Sequence, residues 1–149
     1  MPEKLSLSVH DNVPAEEARV VDRGLEDSNA AAAPVHEVRP LCCFARLESG
    51  AVVGGAIGRT WGLCCELKQL WVHPMHRRMG LGTRLVRLFE ESAMARGCST
   101  FYLDTFTFQA RPFYERLGYE PKLEICGFSP GVTKYIMVRS KAADTSCNT

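Results

Sequence analysis

Leu70-Trp71-Val72-His73-Pro74-Met75-His76-Arg77-Arg78-Met79-Gly80-Leu81-Gly82-Thr83 is the stretch on which the fold of this chain turns. Upstream of it, residues 64–72 carry the Val, Leu and Trp content of a strand. Downstream, Leu81, Leu85, Leu88, Phe89 and Ala93 recur at helical spacing, with Thr83, Arg84, Arg87, Glu90, Glu91 and Arg96 mostly on the other side. That spacing predicts an amphipathic helix of about four turns, ended by Gly97 in a left-handed conformation. A strand therefore enters a helix through a turn of two arginines and two glycines. The first amides of a helix have no internal partner, and its dipole places partial positive charge there. Gly80 and Gly82 would let an anion reach bare backbone, Arg77 and Arg78 add formal charge, and Thr83 offers a cap or a hydroxyl. This suits a phosphate or pyrophosphate. The same residues also fit a glycine-rich turn with solvated arginines, and neither GxxxxGK(S/T) nor GxGxxG is present.

Working outward, residues 42–48, 52–60 and 64–72 read as strands with short gaps, an antiparallel meander. Gly54, Gly55 and Gly58 within the second mark close approach of another backbone or of a ligand. After the long helix, residues 100–105 form a strand and 109–117 a short helix, with Pro112 near its start and Gly118 at its end. Residues 119–125 and 134–139 are two more strands about the turn Ser129-Pro130-Gly131. At the beginning, Leu5, Leu7 and Val9 alternate with polar residues as in a half-buried strand. Asp11-Asn12 offers an N-cap, Pro14 a first helical turn, and Ala18, Val21 and Leu25 a helix over 15–29 weakened by Gly24. Residues 30–34 read as its fraying end or as a loop. The fold class is therefore α/β (α+β), one mixed, mostly antiparallel central sheet of about 6–7 strands flanked by helices. It spans 1–140 as a single domain, with 141–149 a loose tail.

The 149 residues include 18 Lys plus Arg and 17 Asp plus Glu, a net charge of +1, with 46% apolar and 23% charged residues. This is globular composition, which gives no reason to expect a nucleic-acid or membrane-surface binder. No run approaches a membrane span, and Met1-Pro2-Glu3-Lys4 is followed by no apolar signal region, so a cytoplasmic location is expected. Seven cysteines, with Cys42-Cys43 and Cys64-Cys65 adjacent and no CxxC, read as reduced thiols used as small apolar core residues. His36, His73 and His76 show no metal-ligand spacing, and no metal is expected.

Arg77-x-x-Gly80-x-Gly82 resembles the (Q/R)-x-x-G-x-(G/A) signature of the GNAT superfamily of acyl-CoA-dependent N-acetyltransferases. The lead-in Leu70-Trp71-Val72-His73-Pro74 is similar to the family's strand and proline. Phe113-Tyr114-Glu115-Arg116-Leu117-Gly118-Tyr119 is similar to its FYEKLGF helix ending. Leu103-Asp104-Thr105-Phe106 and Phe108-Gln109-Ala110 resemble small bacterial members. The resemblance covers about residues 41–140, with the element order in agreement.

The resemblance implies acetyl-CoA as co-substrate, its pyrophosphate held by Arg77, Arg78, Met79, Gly80, Leu81, Gly82 and Thr83. The pantetheine arm would lie along Leu70, Trp71 and Val72, and a freed backbone amide at Trp71 or Val72 would polarise the thioester carbonyl. Tyr114 would hydrogen-bond or protonate the departing thiolate, with Phe113 beside it at the coenzyme; its alternative is an aromatic packing on Leu117. Glu66, eleven residues before Arg77, matches the family's base; its alternative is a solvated strand glutamate beside Lys68. Where the family often carries Asn, this chain has Thr107, with Gln109 near enough in sequence to compensate. Asp104 and Glu66 could receive a cationic amine, although Asp104 could equally cap a turn. Trp61 and Trp71 could line an acceptor pocket or simply pack. Arg59, Arg84 and Arg87 read as surface charges. The acceptor expected is a small-molecule amine rather than a protein, attacking directly in a ternary complex, and the resemblance also allows a homodimer. A catalytically silent acyl-CoA-binding module on the same fold is the alternative.

Overall fold

The structure, a computed structural model, describes residues 1–140. The tail expected at 141–149, and Cys147 within it, lies outside the described residues. The chain divides into two units, Met1–His36 and the remainder from Glu37.

In the first unit, residues 1–14 form no regular element, and Leu5, Leu7 and Val9 are exposed. The strand expected there is not formed. Alternation names the face a strand would bury but supplies no partner for its ladder, and an unpaired strand leaves its backbone to water. Helix α1 spans Ala15–Ala32 and passes through Gly24. It continues beyond the expected end because Ala30, Ala31 and Ala32 are the best of helix formers. Pro14 is the N-cap residue and no side chain caps the helix, so Asp11-Asn12 does not serve that role. No residue of α1 is buried.

The second unit holds a six-stranded sheet. Its strands are β1 (Arg39–Arg46), β2 (Val52–Trp61), β3 (Cys64–Val72), β4 (Thr100–Phe106), β5 (Glu120–Ser129) and β6 (Val132–Ser140), in the order β1-β2-β3-β4-β6-β5. All neighbours are antiparallel except β3 and β4. Helix α2 (Leu81–Ala95) follows β3, and the short helix α3 (Arg111–Arg116) follows β4. Gly97 ends α2 at φ 98° and Gly118 follows α3 at φ 96°, as expected. Among the described residues no helix is long and apolar enough to cross a membrane.

Leu85, Val86, Phe89 and Ala93 of α2 pack into the core with Leu41, Ala56, Leu67, Phe101, Leu103 and Met137. Leu88, expected among them, is 49% exposed, whereas Glu90 is buried at 1%. At 3.6 residues per turn, Glu90 lies ~85° from the centre of the buried stripe and Leu88 ~115° away on its other side. Glu90 is therefore neutralised inside: Arg87 donates to it at 3.0 Å, the Tyr119 hydroxyl at 3.2 Å, and Arg139 from β6 closes a third, short contact. Arg87 is accordingly a partner of this carboxylate rather than only a surface charge. The glycines of β2 serve packing: a Cβ on Gly58 would sit 1.9 Å from the Glu66 carbonyl oxygen and 2.8 Å from the Phe89 ring. Of the cysteines among the described residues, only Cys65 and Cys98 are buried core residues, while Cys42, Cys64 and Cys126 are exposed. Burial pushes the Cys65 thiol up to about 12, which makes it an inert apolar filler.

What positions the site is a parting of the sheet. β3 and β4 pair in parallel only from Cys64↔Thr100 to Glu66↔Tyr102. Beyond that, β3 stays with β2 as far as Gly54↔Val72, and β4 stays with β6 as far as Phe106↔Lys134. A bulge begins the divergence: Gly58 faces Leu67 and Ile57 faces Gln69, so Lys68 is the unmatched residue. A bulge adds a residue on one strand and bends it away from its neighbour.

Candidate active site

The opening between β3 and β4 is a cavity of about 900 Å³, walled by the second half of β3, the end of β4, the start of α2 and one side of α3. The backbone that faces it follows from the ladder. His73 N–H donates to the Val53 carbonyl at 2.8 Å. Antiparallel pairs alternate between those that exchange hydrogen bonds and those that do not. Trp71 and Gln69 therefore turn their backbone groups toward β2, and Leu70 and Val72 turn theirs toward the opening. Of the two expected amides, the strand thus presents that of Val72, accompanied by Leu70 rather than Trp71. The Val72 carbonyl also faces outward, and the Arg77 side chain donates to it through Nε at 2.9 Å.

That contact fixes the turn that leads into α2. His73 Nδ1 accepts from Met75 N–H at 3.2 Å and caps the single 3-10 turn Pro74–His76. Arg78 then takes φ 62° and Gly80 φ 78°, the latter as the N-cap residue of α2. A left-handed residue that adjoins a right-handed one turns successive amides toward a common centre, a concavity for anions, and left-handed Gly80 followed by helical Leu81 is such a pair. For Arg78, which has a Cβ, the conformation costs roughly 1–2 kcal/mol, and backbone strain of that kind collects at functional loops. Gly82 continues the floor: a Cβ there would stand 3.4 Å from the Phe113 ring. Arg77, Arg78, Gly80, Leu81, Gly82 and Thr83 all line the cavity. Met79 does not; it is 64% exposed.

On the far wall, α3 presents Phe113 and Tyr114. Tyr114 is buried, its ring meeting Phe113 and Tyr119 edge to face at 5.1 and 5.9 Å. Burial pushes its phenol up to about 12, so it is a proton-bearing donor at neutral pH. Among the described residues its hydroxyl has no hydrogen-bond partner.

Besides Met79, two further expected site residues are not brought to the cavity. Thr107 donates to the Gly131 carbonyl at 3.1 Å and accepts from Thr133 N–H at 3.2 Å, closing the β4–β6 end instead. Glu66 stands at the last paired register, outside the lining, where it accepts from Arg59 at 2.9 Å and from the Tyr102 hydroxyl at 3.3 Å. Gln109 does line the cavity, although its side-chain oxygen is engaged by Phe106 N–H at 2.9 Å. Trp71 reaches the lining and Trp61 does not. Lys68, Phe108 and Arg116 are lining residues that sequence reasoning did not select. The cations Lys68, Arg77, Arg78 and Arg116 face a single carboxylate, Asp104, among the described lining residues. Such a surface suits a polyanionic ligand. Among the described residues no group of three or more His, Cys, Asp or Glu is placed to hold a metal ion.

A mixed sheet that opens between two parallel strands, with an anion concavity at the head of the helix that follows, defines an α/β protein with a cleft suited to a polyanionic ligand. The profile of the acetyltransferase (GNAT) family matches residues 9–119, and the chain belongs to that family. Blasticidin-S acetyltransferase of Streptomyces morookaense is 36% identical over 110 residues, covering 71% of this chain and 81% of that protein. A crystal structure described as an acetyltransferase from Agrobacterium tumefaciens superposes with a TM-score of 0.81 at 26% identity, covering 91% of this chain and 99% of that one. The PaiA N-acetyltransferase of Thermoplasma acidophilum, solved with coenzyme A, has the same fold at a TM-score of 0.56 and 16% identity, over 68% of this chain and 60% of that one.

Proposed function

We propose that this chain is an N-acetyltransferase that moves the acetyl group of acetyl-CoA to the primary amine of a small molecule by direct attack in a ternary complex. The observation that carries it is the parting of β3 from β4, which turns the Leu70 and Val72 amides into a cavity whose head is the concavity at Arg78 and Gly80. The residues fit the coenzyme: the concavity and Arg77 suit its pyrophosphate, and the outward groups of Leu70 and Val72 suit an extended amide-bearing arm laid along the strand like another strand. Acetyl-CoA supplies an acyl group already activated as a thioester.

The chain's own groups then have separable tasks. The amine nitrogen, in its neutral form, forms a bond to the thioester carbonyl carbon, and the carbon–sulfur bond breaks with its electron pair leaving on sulfur. An outward amide of this strand, that of Val72 or Leu70, donates to the carbonyl oxygen as charge develops on it. Tyr114, with its phenol raised to about 12, donates a hydrogen bond to sulfur; full proton transfer to a thiolate of ordinary basicity, near ~8.5, would be uphill. The proton that ends on the thiol is the one the attacking nitrogen loses. Glu66 is assigned the removal of the ammonium proton through an intervening water, because it lies one register short of the opening.

Calorimetric titration with acetyl-CoA and with adenosine is the first test, followed by amine-dependent appearance of free thiol. Micromolar binding of acetyl-CoA, absent for adenosine, with thiol released by at least one amine, is the expected result. One observation favours a second reading, a silent acyl-CoA-binding module: Glu66 is held by Arg59 and Tyr102 outside the cavity. Tight coenzyme binding with no thiol release across a broad amine panel would establish that reading instead.

A further inference from the structure

Where β4 ends, the lining of the cavity changes character. Asp104, on the exposed side of β4, lines the cavity there beside Phe108. Phe108 is 70% exposed, yet its ring lies flat on Phe106 at 5.2 Å and 8°, with Phe128 edge-on to Phe106 at 5.1 Å. Three rings thus hold one exposed aromatic face in the lining of a polar site. Lys134 reaches the same place from β6, where it stands over the Phe106 ring at 5.5 Å with its ammonium 3.6 Å from the Asp104 carboxylate. That separation is beyond hydrogen-bond length, so the pair is a loose one that a better-placed cation can displace.

We propose that Asp104 and Phe108 select the acceptor, and that Lys134 occupies the acceptor's cation position until it binds. The inference rests on the transferase reading above and names the class of its acceptor: an amine that also carries a flat ring and a second cationic group. The second group is required by chemistry. A carboxylate holds a partnered amine in its charged form, and a charged amine has no lone pair with which to attack. The nitrogen paired with Asp104 is therefore not the nitrogen that reacts. The exposed Phe108 face takes the ring, since aromatic pairs gain beyond their buried area. The remaining lining charges, on Lys68, Arg77, Arg78 and Arg116, are positive, which leaves Asp104 as the lining group that welcomes a cation.

The experiment compares p-xylylenediamine, a ring with two amines, with p-methylbenzylamine, the same ring with one. Steady-state thiol release and calorimetric binding are both read, for the natural protein and for Asp104→Asn and Lys134→Met. After the statistical factor of two, the natural protein should prefer the diamine by about tenfold in kcat/KM, the size expected of a hydrogen bond to a charged group. Asp104→Asn should erase that preference through KM. Lys134→Met, which removes the internal competitor and keeps an apolar stem over Phe106, should lower the diamine's KM severalfold and leave that of the monoamine in place. Replacing p-xylylenediamine by hexamethylenediamine should lose affinity, and Phe108→Ala should abolish the difference between the two diamines. Equal use of diamine and monoamine by the natural protein, or a preference that survives Asp104→Asn, overturns the proposal. Binding of the diamine that depends on Asp104, without thiol release from any acceptor, would sustain the cation site and sink the transferase reading instead.

Discussion

Arg59 donates through Nε to the Glu66 carboxylate at 2.9 Å, from across the β2–β3 ladder. Tyr102 adds its hydroxyl at 3.3 Å from the parallel neighbour β4. The carboxylate is thus fixed on the sheet face at the last register before the strands part. Glu66→Gln keeps an acceptor for both partners and removes the charge. Thiol release at neutral pH should fall roughly 10²-fold, with acetyl-CoA affinity unchanged by calorimetry. Activity within twofold of the natural protein would move the base elsewhere.

Tyr114 offers the cleanest separation of chemistry from packing. Its ring fills the space between Phe113 and Tyr119, while its hydroxyl has no partner among the described residues. Tyr114→Phe preserves the ring and should leave the melting temperature in place. The turnover number should drop roughly 10²-fold or more, with KM for acetyl-CoA little changed. An unaltered turnover number would remove Tyr114 from the mechanism.

Alkaline stability carries a sign that can be worked out. Burial raises the Tyr114 phenol to about 12, and an unfolded chain releases the same proton near ~10. Between those values the native state binds more protons than the unfolded one, so stability falls as pH rises through that window. Burial and the Glu90 charge also push the Tyr119 phenol up, in the same direction. Urea midpoints should decline from about pH 10 upward, and the decline should be shallower in Tyr114→Phe. An identical slope in that variant would show that Tyr114 is not the group concerned.

Much of this was legible beforehand, for identifiable reasons. The loop and helix from Arg77 onward could be read because their signals are local: a 3.6-residue period, glycines where φ is positive, and a turn closing α2 at Gly97. Strand β3 was found with its observed bounds for the same reason. Leu5, Leu7 and Val9 misled because alternation is a statement about a face, and nothing pairs with it. Thr107 misled because its hydroxyl is claimed by Gly131 and Thr133, more than twenty residues away. The burial of Glu90 was not legible at all: a carboxylate on a helix reads as solvated until Arg139, 49 positions further on, is brought beside it.

That buried carboxylate makes the last prediction. Glu90 is 1% exposed and accepts from Arg139, Arg87 and the Tyr119 hydroxyl, tying α2 to β6 and to the residue that leads into β5. Arg87 is far more exposed than Glu90, at 41% of its side chain, and cannot alone neutralise it. Arg139→Met removes the main counter-charge while keeping a stem of similar bulk against Phe101, over whose ring the guanidinium now lies at 5.8 Å. A buried charge left without its partner costs about 3–5 kcal/mol, a large fraction of the stability of a domain this size. The urea midpoint of Arg139→Met should fall accordingly. The double variant Glu90→Met, Arg139→Met should recover most of the loss, because the cost lies in the orphaned charge rather than in the missing contact. If the double variant is no more stable than the single one, the network contributes through its hydrogen bonds to Tyr119 and Arg87, and not through mutual neutralisation.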